Sequence, residues 1–198
     1  MKTDNIGDAA MDLVAAVCDL FETEAARDTV NAPQLQRALS LIRELHPYSN
    51  PSEGSELPGC RHLSRALDLG EAGAAASVAK ALRRLEPELA WFQNPRYNSE
   101  NKGVEFMDNY GWSPCCLAGS DELSFGVLLL GPGVTYPPTR YESEGVFLVV
   151  GGSPEWKSGD EPWVCASPGD IFCRQWNGAE GKRTGDEPML ALYAWMYS

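Results

Sequence analysis

Histidine is nearly missing from this chain, and so is most of what would mark a common catalytic class. Among 198 residues there are two histidines, His46 and His62, and both fall in the first third. There is no CxxC, no GxSxG and no Cys–His pair at credible spacing. No Gly-rich phosphate loop is present either: Gly131 and Gly133, in a GPG run, fit no nucleotide motif and read as a turn. No apolar run reaches the length of a membrane span. Basic residues are scarce, 16 Lys and Arg against 28 Asp and Glu, a net charge of −12. Phosphate backbones and anionic membrane surfaces would be repelled, so neither nucleic acid nor membrane is expected as a partner. The N-terminal MKTDNIGDAA carries acids where a signal peptide needs an apolar core, and a cytoplasmic location is expected. The six cysteines (Cys18, Cys60, Cys115, Cys116, Cys165 and Cys173) have no disulfide-framework spacing and read as small buried thiols.

What is present divides the chain in two. Residues 1–90 read as helical. In Asp8 to Ala26, Met11, Val14, Cys18 and Phe21 form one apolar stripe. A second helix opens at Asn31 as N-cap, with Pro33 in its first turn. A loop is expected over Asn50 to Gly59, a short helix over Arg61 to Leu69 with Gly70 as its stop, and a last helix over Ala74 to Leu85 before Pro87. From Trp91 onward, short β-branched and aromatic runs alternate with turn residues. Strands are expected near Val104 to Met107, Ser124 to Leu130, Gly145 to Val150, Glu155 to Lys157, Trp163 to Ala166, Asp170 to Arg174 and Met189 to Trp195. Many short strands at this spacing indicate a sandwich or barrel over residues 91–198.

Several runs occur in a recognisable order: NPRY (94–97), FMDNYGW (106–112), FGVLLLGPGVTYPPTRY, GVFLVVGGSPEW, SPGDIF and KRTGDEPMLALYAW. Together they resemble the cupin-type dimethylsulfoniopropionate (DMSP) lyases, well over residues 90–198 and loosely over the helical part. The resemblance implies a mainly β, double-stranded β-helix barrel with a helical N-terminal region. It also implies one divalent metal such as Zn, Fe or Mn inside the barrel, and a β-elimination that releases dimethyl sulfide and leaves acrylate. In that pattern the metal is held by a His-x-His pair, a Glu four residues later and a later His, with a Tyr two residues after the Glu. Carried onto this chain, those positions fall on Thr139, Tyr141, Gly145, Glu180 and, for the Tyr, Phe147. Only Tyr136, in the YPP entry, keeps the family's residue type, which makes it the candidate base. The resemblance implies that Thr139, Tyr141, Gly145 and Phe147 face inward, and strand parity then turns Arg140, Glu142 and Glu144 outward unless a bulge at Gly145 reverses it. No metal cofactor is therefore expected.

Three functions follow from the resemblance: a lyase of weak or no activity, a non-catalytic small-molecule-binding or sensor cupin, and a structural or dimerisation protein whose barrel is filled. Trp91, Tyr97, Tyr110 and Trp112 are candidate aromatics for a cationic or zwitterionic ligand, because aromatic faces attract onium cations. Lys182 to Asp186 reads as a solvated hairpin. A homodimer stays open, by analogy with cupins alone.

Overall fold

The computed structural model of the chain describes residues 2–48 and 57–198. Four helices come first: α1 (Lys2–Arg27), α2 (Ala32–Ile42), α3 (Leu63–Glu71) and α4 (Ala76–Leu85), with a 3₁₀ turn (Pro58–His62) leading into α3. Most of the expected loop over Asn50 to Gly59 lies outside the described residues. Gly70 does not stop α3: it sits inside the helix, where an added Cβ would stand 2.6 Å from the carbonyl oxygen of Val150. Its missing side chain lets the helix lie directly on the sheet. Among the described residues no helix is long and apolar enough to cross a membrane.

Two further short helices, α5 (Ser99–Lys102) and α6 (Val104–Asp108), follow. A strand was expected over Val104 to Met107, and a helix stands there instead. Asn98 starts the helical stretch one element earlier: its side chain accepts from the N–H groups of Glu100 and Asn101, and Asn101 returns a bond to Asn98, a capping box at the start of α5. Helix α6 follows directly after Gly103, which has no side-chain cap.

The strands are β1 (His46–Pro47), β2 (Tyr110–Pro114), β3 (Leu117–Ala118), β4 (Leu123–Leu130), β5 (Thr135–Arg140), β6 (Glu144–Gly151), β7 (Glu155–Ser158), β8 (Val164–Cys165), β9 (Ile171–Arg174), β10 (Ala179–Arg183) and β11 (Met189–Met196). They form a five-stranded sheet ordered β2-β4-β11-β6-β9 and a four-stranded sheet ordered β5-β10-β7-β8, with β1 and β3 paired separately.

The apolar runs of β4, β6 and β11 are continuous because both of their faces are buried. Val127, Leu129, Val146, Leu148, Val150, Leu190 and Leu192 pack into the same core as Leu13, Phe21, Leu35 and Leu82 of the helices. The alternate residues Leu128, Leu130, Phe147, Val149, Ala191 and Tyr193 join Tyr136 and Trp156 of the second sheet in the barrel core. The helical part thus closes the outer face of one sheet, and the two sheets enclose a separate interior. That interior holds the candidate site.

Candidate functional site

Three strand ends and one loop bring the interior together. In the five-stranded sheet Gly145 pairs with Trp195 on one side and with Arg174 on the other. Register places the three on one face. An added Cβ at Gly145 would lie 2.8 Å from the Phe147 ring and 3.3 Å from Arg174 Nη2. The absent side chain is therefore the space through which the Arg174 guanidinium reaches inward. Gln34 of α2 fixes this row from behind: its buried Nε2 donates to the carbonyls of Gly145 (3.1 Å) and Arg174 (2.7 Å).

The second sheet supplies the other wall. Tyr136 pairs with Lys182, and Thr139 pairs with Glu180, so β5 carries one residue more than β10 over this stretch. This is a β-bulge at Pro137 and Pro138, where a missing ladder donor costs least. Gly181 faces it, and a Cβ there would come within 3.0 Å of Pro138. The bulge keeps Tyr136 and Thr139 on one face although three positions separate them. Thr139 stands at the rim, its Oγ1 donating to the Pro137 carbonyl at 2.9 Å.

The loop after β5 turns Tyr141 inward. Arg140 stays outside and donates to the Asn177 carbonyl at 2.9 Å, and the Asn177 N–H donates to the Tyr141 carbonyl at 3.1 Å. Glu142 is exposed, and Glu144 forms a 2.7 Å ion pair with Arg37 of α2. Both carboxylates are outside the barrel interior.

Inside, a cluster of charges replaces the solvated hairpin expected over Lys182 to Asp186. Lys182, Glu180 and Arg174 are 1%, 2% and 4% exposed. Lys182 Nζ lies 2.7 Å, and Arg174 Nη1 3.1 Å, from the same oxygen, Glu180 Oε1. Arg174 Nη2 also donates to Ser143 Oγ at 2.6 Å. Burial pulls the Lys182 ammonium below the ordinary lysine value, and the Glu180 carboxylate acts against that pull. Thr184 is buried as well, its hydroxyl donating to the Gly131 carbonyl at 2.6 Å and so tying this segment to the GPG turn. Only Arg183 of the stretch makes an outward ion pair, with Glu155. Its neighbours reverse the expected environment because strand alternation puts Lys182, not Arg183, on the inner face.

Above the charges lies a layer of phenols. The hydroxyl oxygens of Tyr136 and Tyr97 are 2.7 Å apart, and those of Tyr136 and Tyr141 are 2.5 Å apart. Burial pushes the Tyr136 phenol well above the ordinary tyrosine value, and the neighbouring Tyr141 raises it further. Burial raises Tyr141 too, against the hydrogen bond from Tyr136. Tyr141 lies between layers, its ring 5.8 Å from the Trp195 ring and 4.7 Å from the Arg174 guanidinium carbon. Outside this layer a cavity of about 190 Å³ opens, lined by Asn94, Pro95, Tyr110, Trp112, Tyr136, Tyr141 and Trp195.

Three of the four candidate aromatics meet here. Tyr110 and Trp112 line the cavity directly, and Tyr97 bonds to its wall at Tyr136. Trp91 does not: it is buried in the core shared with the helices. Trp195, Arg174, Ser143 and Lys182 were not among the expected site residues. Alternation along β10 could have signalled Lys182, since Glu180 and Lys182 share a face whenever the strand is regular.

A metal does not fit this interior. Among the described residues no group of three His, Cys, Asp or Glu side chains converges. Glu180 is the carboxylate in the cluster; two cationic side chains hold its Oε1, while Oε2 has no partner among the described residues and no second carboxylate or imidazole faces it. His46 is exposed on β1, and His62 lies 2.9 Å from Asn109 Oδ1 beside the 3₁₀ turn.

Comparison with known proteins agrees with this geometry in outline. A model of the dimethylsulfoniopropionate lyase family matches residues 29–191. The putative dimethylsulfoniopropionate lyase DddL of Cereibacter sphaeroides is 29% identical over 171 residues, covering 82% of this chain and 69% of that protein. The dimethylsulfoniopropionate lyase DddQ of Ruegeria pomeroyi is 28% identical over 105 residues, which spans 50% of this chain and 51% of the relative. The crystal structure of DddQ from Ruegeria pomeroyi DSS-3 superposes with a TM-score of 0.70 at 23% identity, covering 96% of this chain and 91% of that one. A chain from the crystal structures of the DMSP lyases RdDddP and RnDddQII gives 0.71 at 24% identity, covering 93% of both. These structures share the fold, a cupin-type barrel with a helical N-terminal region.

Proposed function

Starting from a chain that belongs to the dimethylsulfoniopropionate lyase family, we propose that its barrel serves as a small-molecule-binding pocket in which carbon–sulfur elimination is weak or absent. The observation that carries this reading is the state of Tyr136. An elimination needs a group that can take the proton α to the carboxylate while the sulfide leaves. Tyr136 is bonded between two other phenols, and burial holds it protonated far above neutral pH. A neutral phenol is no base, and a cation at its oxygen would be needed to lower it. Lys182, the buried ammonium, faces the ring of Tyr136 at 5.4 Å.

The cavity itself supports binding. Its wall has no charged side chain and presents the rings of Tyr110, Trp112, Tyr141 and Trp195. Such faces favour a sulfonium or quaternary ammonium group, with roughly 2 kcal/mol per desolvated contact. The test is to incubate purified protein with dimethylsulfoniopropionate, follow dimethyl sulfide in the headspace by gas chromatography, and measure binding by calorimetry. Saturable binding without release of sulfide is expected. Robust release that Tyr136→Phe abolishes would overturn the proposal.

A further inference from the structure

The ion cluster beneath the phenols is not explained by ligand binding at the mouth. Glu180 Oε1 has an ammonium at 2.7 Å and a guanidinium at 3.1 Å. Behind Lys182 Nζ stand three ring faces, Phe147 at 4.5 Å, Trp156 at 4.6 Å and Tyr136 at 5.4 Å from their centroids. A carboxylate oxygen in front and electron-rich faces behind make an environment for one positive charge. Arg174 adds a second fixed cation, 4.7 Å and 5.6 Å from the rings of Tyr141 and Phe147. Glu180 Oε2 has no hydrogen-bond partner among the described residues, but a divalent ion approaching it would meet the ammonium and the guanidinium already held on the other oxygen of the same carboxylate. It would find phenols held neutral by burial as the next oxygen donors.

We propose that Lys182 is the resident cation of this barrel: its ammonium occupies the place beside Glu180 that a divalent metal would require, and with Arg174 it keeps transition metals out of the interior. The space that admits Arg174 is the missing side chain of Gly145, so one small residue and two basic ones act together. The buried carboxylate is compensated by covalently attached positive charge, two cationic side chains against one carboxylate. The inference stands apart from the reading of the mouth pocket, since it concerns the layer beneath Tyr136 and Tyr141.

The test uses the full chain, treated with chelator, loaded in turn with Zn, Mn, Ni and ferrous iron, and desalted. Plasma mass spectrometry should find no retained metal, and none of the four ions should raise the melting temperature, as a ligand bound only to the folded state must. In protein labelled with ¹⁵N-lysine, one slowly exchanging side-chain ammonium resonance is expected, absent from Lys182→Arg. The wild-type readouts decide the matter even if that variant fails to fold. Retention of about one equivalent of any of these metals with a raised melting temperature overturns the proposal. So does the absence of a protected ammonium resonance from the wild type. Dimethyl sulfide release by a metal-free protein would sink the binding reading and leave this one standing.

Discussion

Gly145 and Arg174 pair across β6 and β9, and the guanidinium of the second fills the side-chain space that the first leaves open: a Cβ on Gly145 would be 3.3 Å from Arg174 Nη2. The same Cβ would be 2.8 Å from the Phe147 ring, which is fully buried. Gly145→Ala should therefore destabilise the fold by about 1–3 kcal/mol through overpacking alone. Urea denaturation of the two proteins measures it, and an unchanged midpoint would show that the row is loosely packed.

The Lys182–Glu180 pair predicts strong coupling. Lys182→Met leaves Arg174 facing Glu180 alone, and Glu180→Leu leaves two buried cations with no carboxylate. Glu180→Leu should cost about 3–5 kcal/mol because it strands two buried cations, and Lys182→Met should cost less because Arg174 still pairs the carboxylate; the double change strands Arg174 alone and should cost less than the sum. A double-mutant cycle from urea midpoints checks this. Additive losses would mean that the two groups do not interact.

The buried phenols set the alkaline limit of the fold. Burial raises Tyr110, Tyr136, Tyr141 and Tyr193 above the ordinary tyrosine value in the folded chain. A group with a raised folded value binds more protons folded than unfolded. Its contribution is present in full below the unfolded value of about 10 and is lost as pH rises beyond it. Stability should therefore fall above about pH 10, with the phenolate absorbance of these residues appearing together with unfolding. A smooth titration of all the tyrosines in a still-folded protein would contradict the burial.

Thiol reactivity should follow the strands. Cys165 is exposed on β8, whereas Cys115 is fully enclosed and burial pushes Cys173 up to about 12. The thiolate is the reactive form. Iodoacetamide at mildly alkaline pH should label Cys165 quickly, and Cys115 and Cys173 only in denaturant, as peptide mapping would show.

Periodicity found the strong elements, and it failed where a local device overrode it. The runs of β4, β6 and β11 and the stripe of α1 were legible because burial on a sheet or a helix face leaves a direct apolar signature. The helix at Val104 was missed because its five residues are too few to show a helical period, and it follows directly on α5, which the capping box at Asn98 starts. The strand Thr135–Arg140 was hidden by two prolines, which a bulge accommodates opposite Gly181. Within the site, Gly145 and Phe147 share a face by simple alternation, whereas Tyr136 reaches the face of Thr139 only through the bulge at Pro137 and Pro138. Of the charges, Lys182 could be placed by its alternation with Glu180 along β10; Arg174 could not, because it is a residue type that normally faces water and its burial depends on Glu180 and Gly145, which come near it only in the folded barrel.

The aromatic cavity gives the last prediction. Trp112 and Trp195 both line it, yet they are held differently. Trp112 packs against Phe92 at 5.1 Å, and Trp195 stacks on Tyr193 at 4.4 Å and on Tyr141 at 5.8 Å. Trp112→Ala should thus remove one wall of the cavity with a modest loss of stability, whereas Trp195→Ala should also loosen the phenol layer. If an onium group rests on these faces, tetramethylammonium should quench tryptophan fluorescence saturably in the wild type. Losing one desolvated ring face of roughly 2 kcal/mol should weaken its affinity about thirtyfold in Trp112→Ala. A neutral analogue of similar bulk such as neopentyl alcohol should not compete, because it lacks the charge that the ring quadrupoles attract. Equal binding of the neutral and charged probes would show that the cavity selects by apolar fit alone, and the cation reading of its aromatic wall would fail.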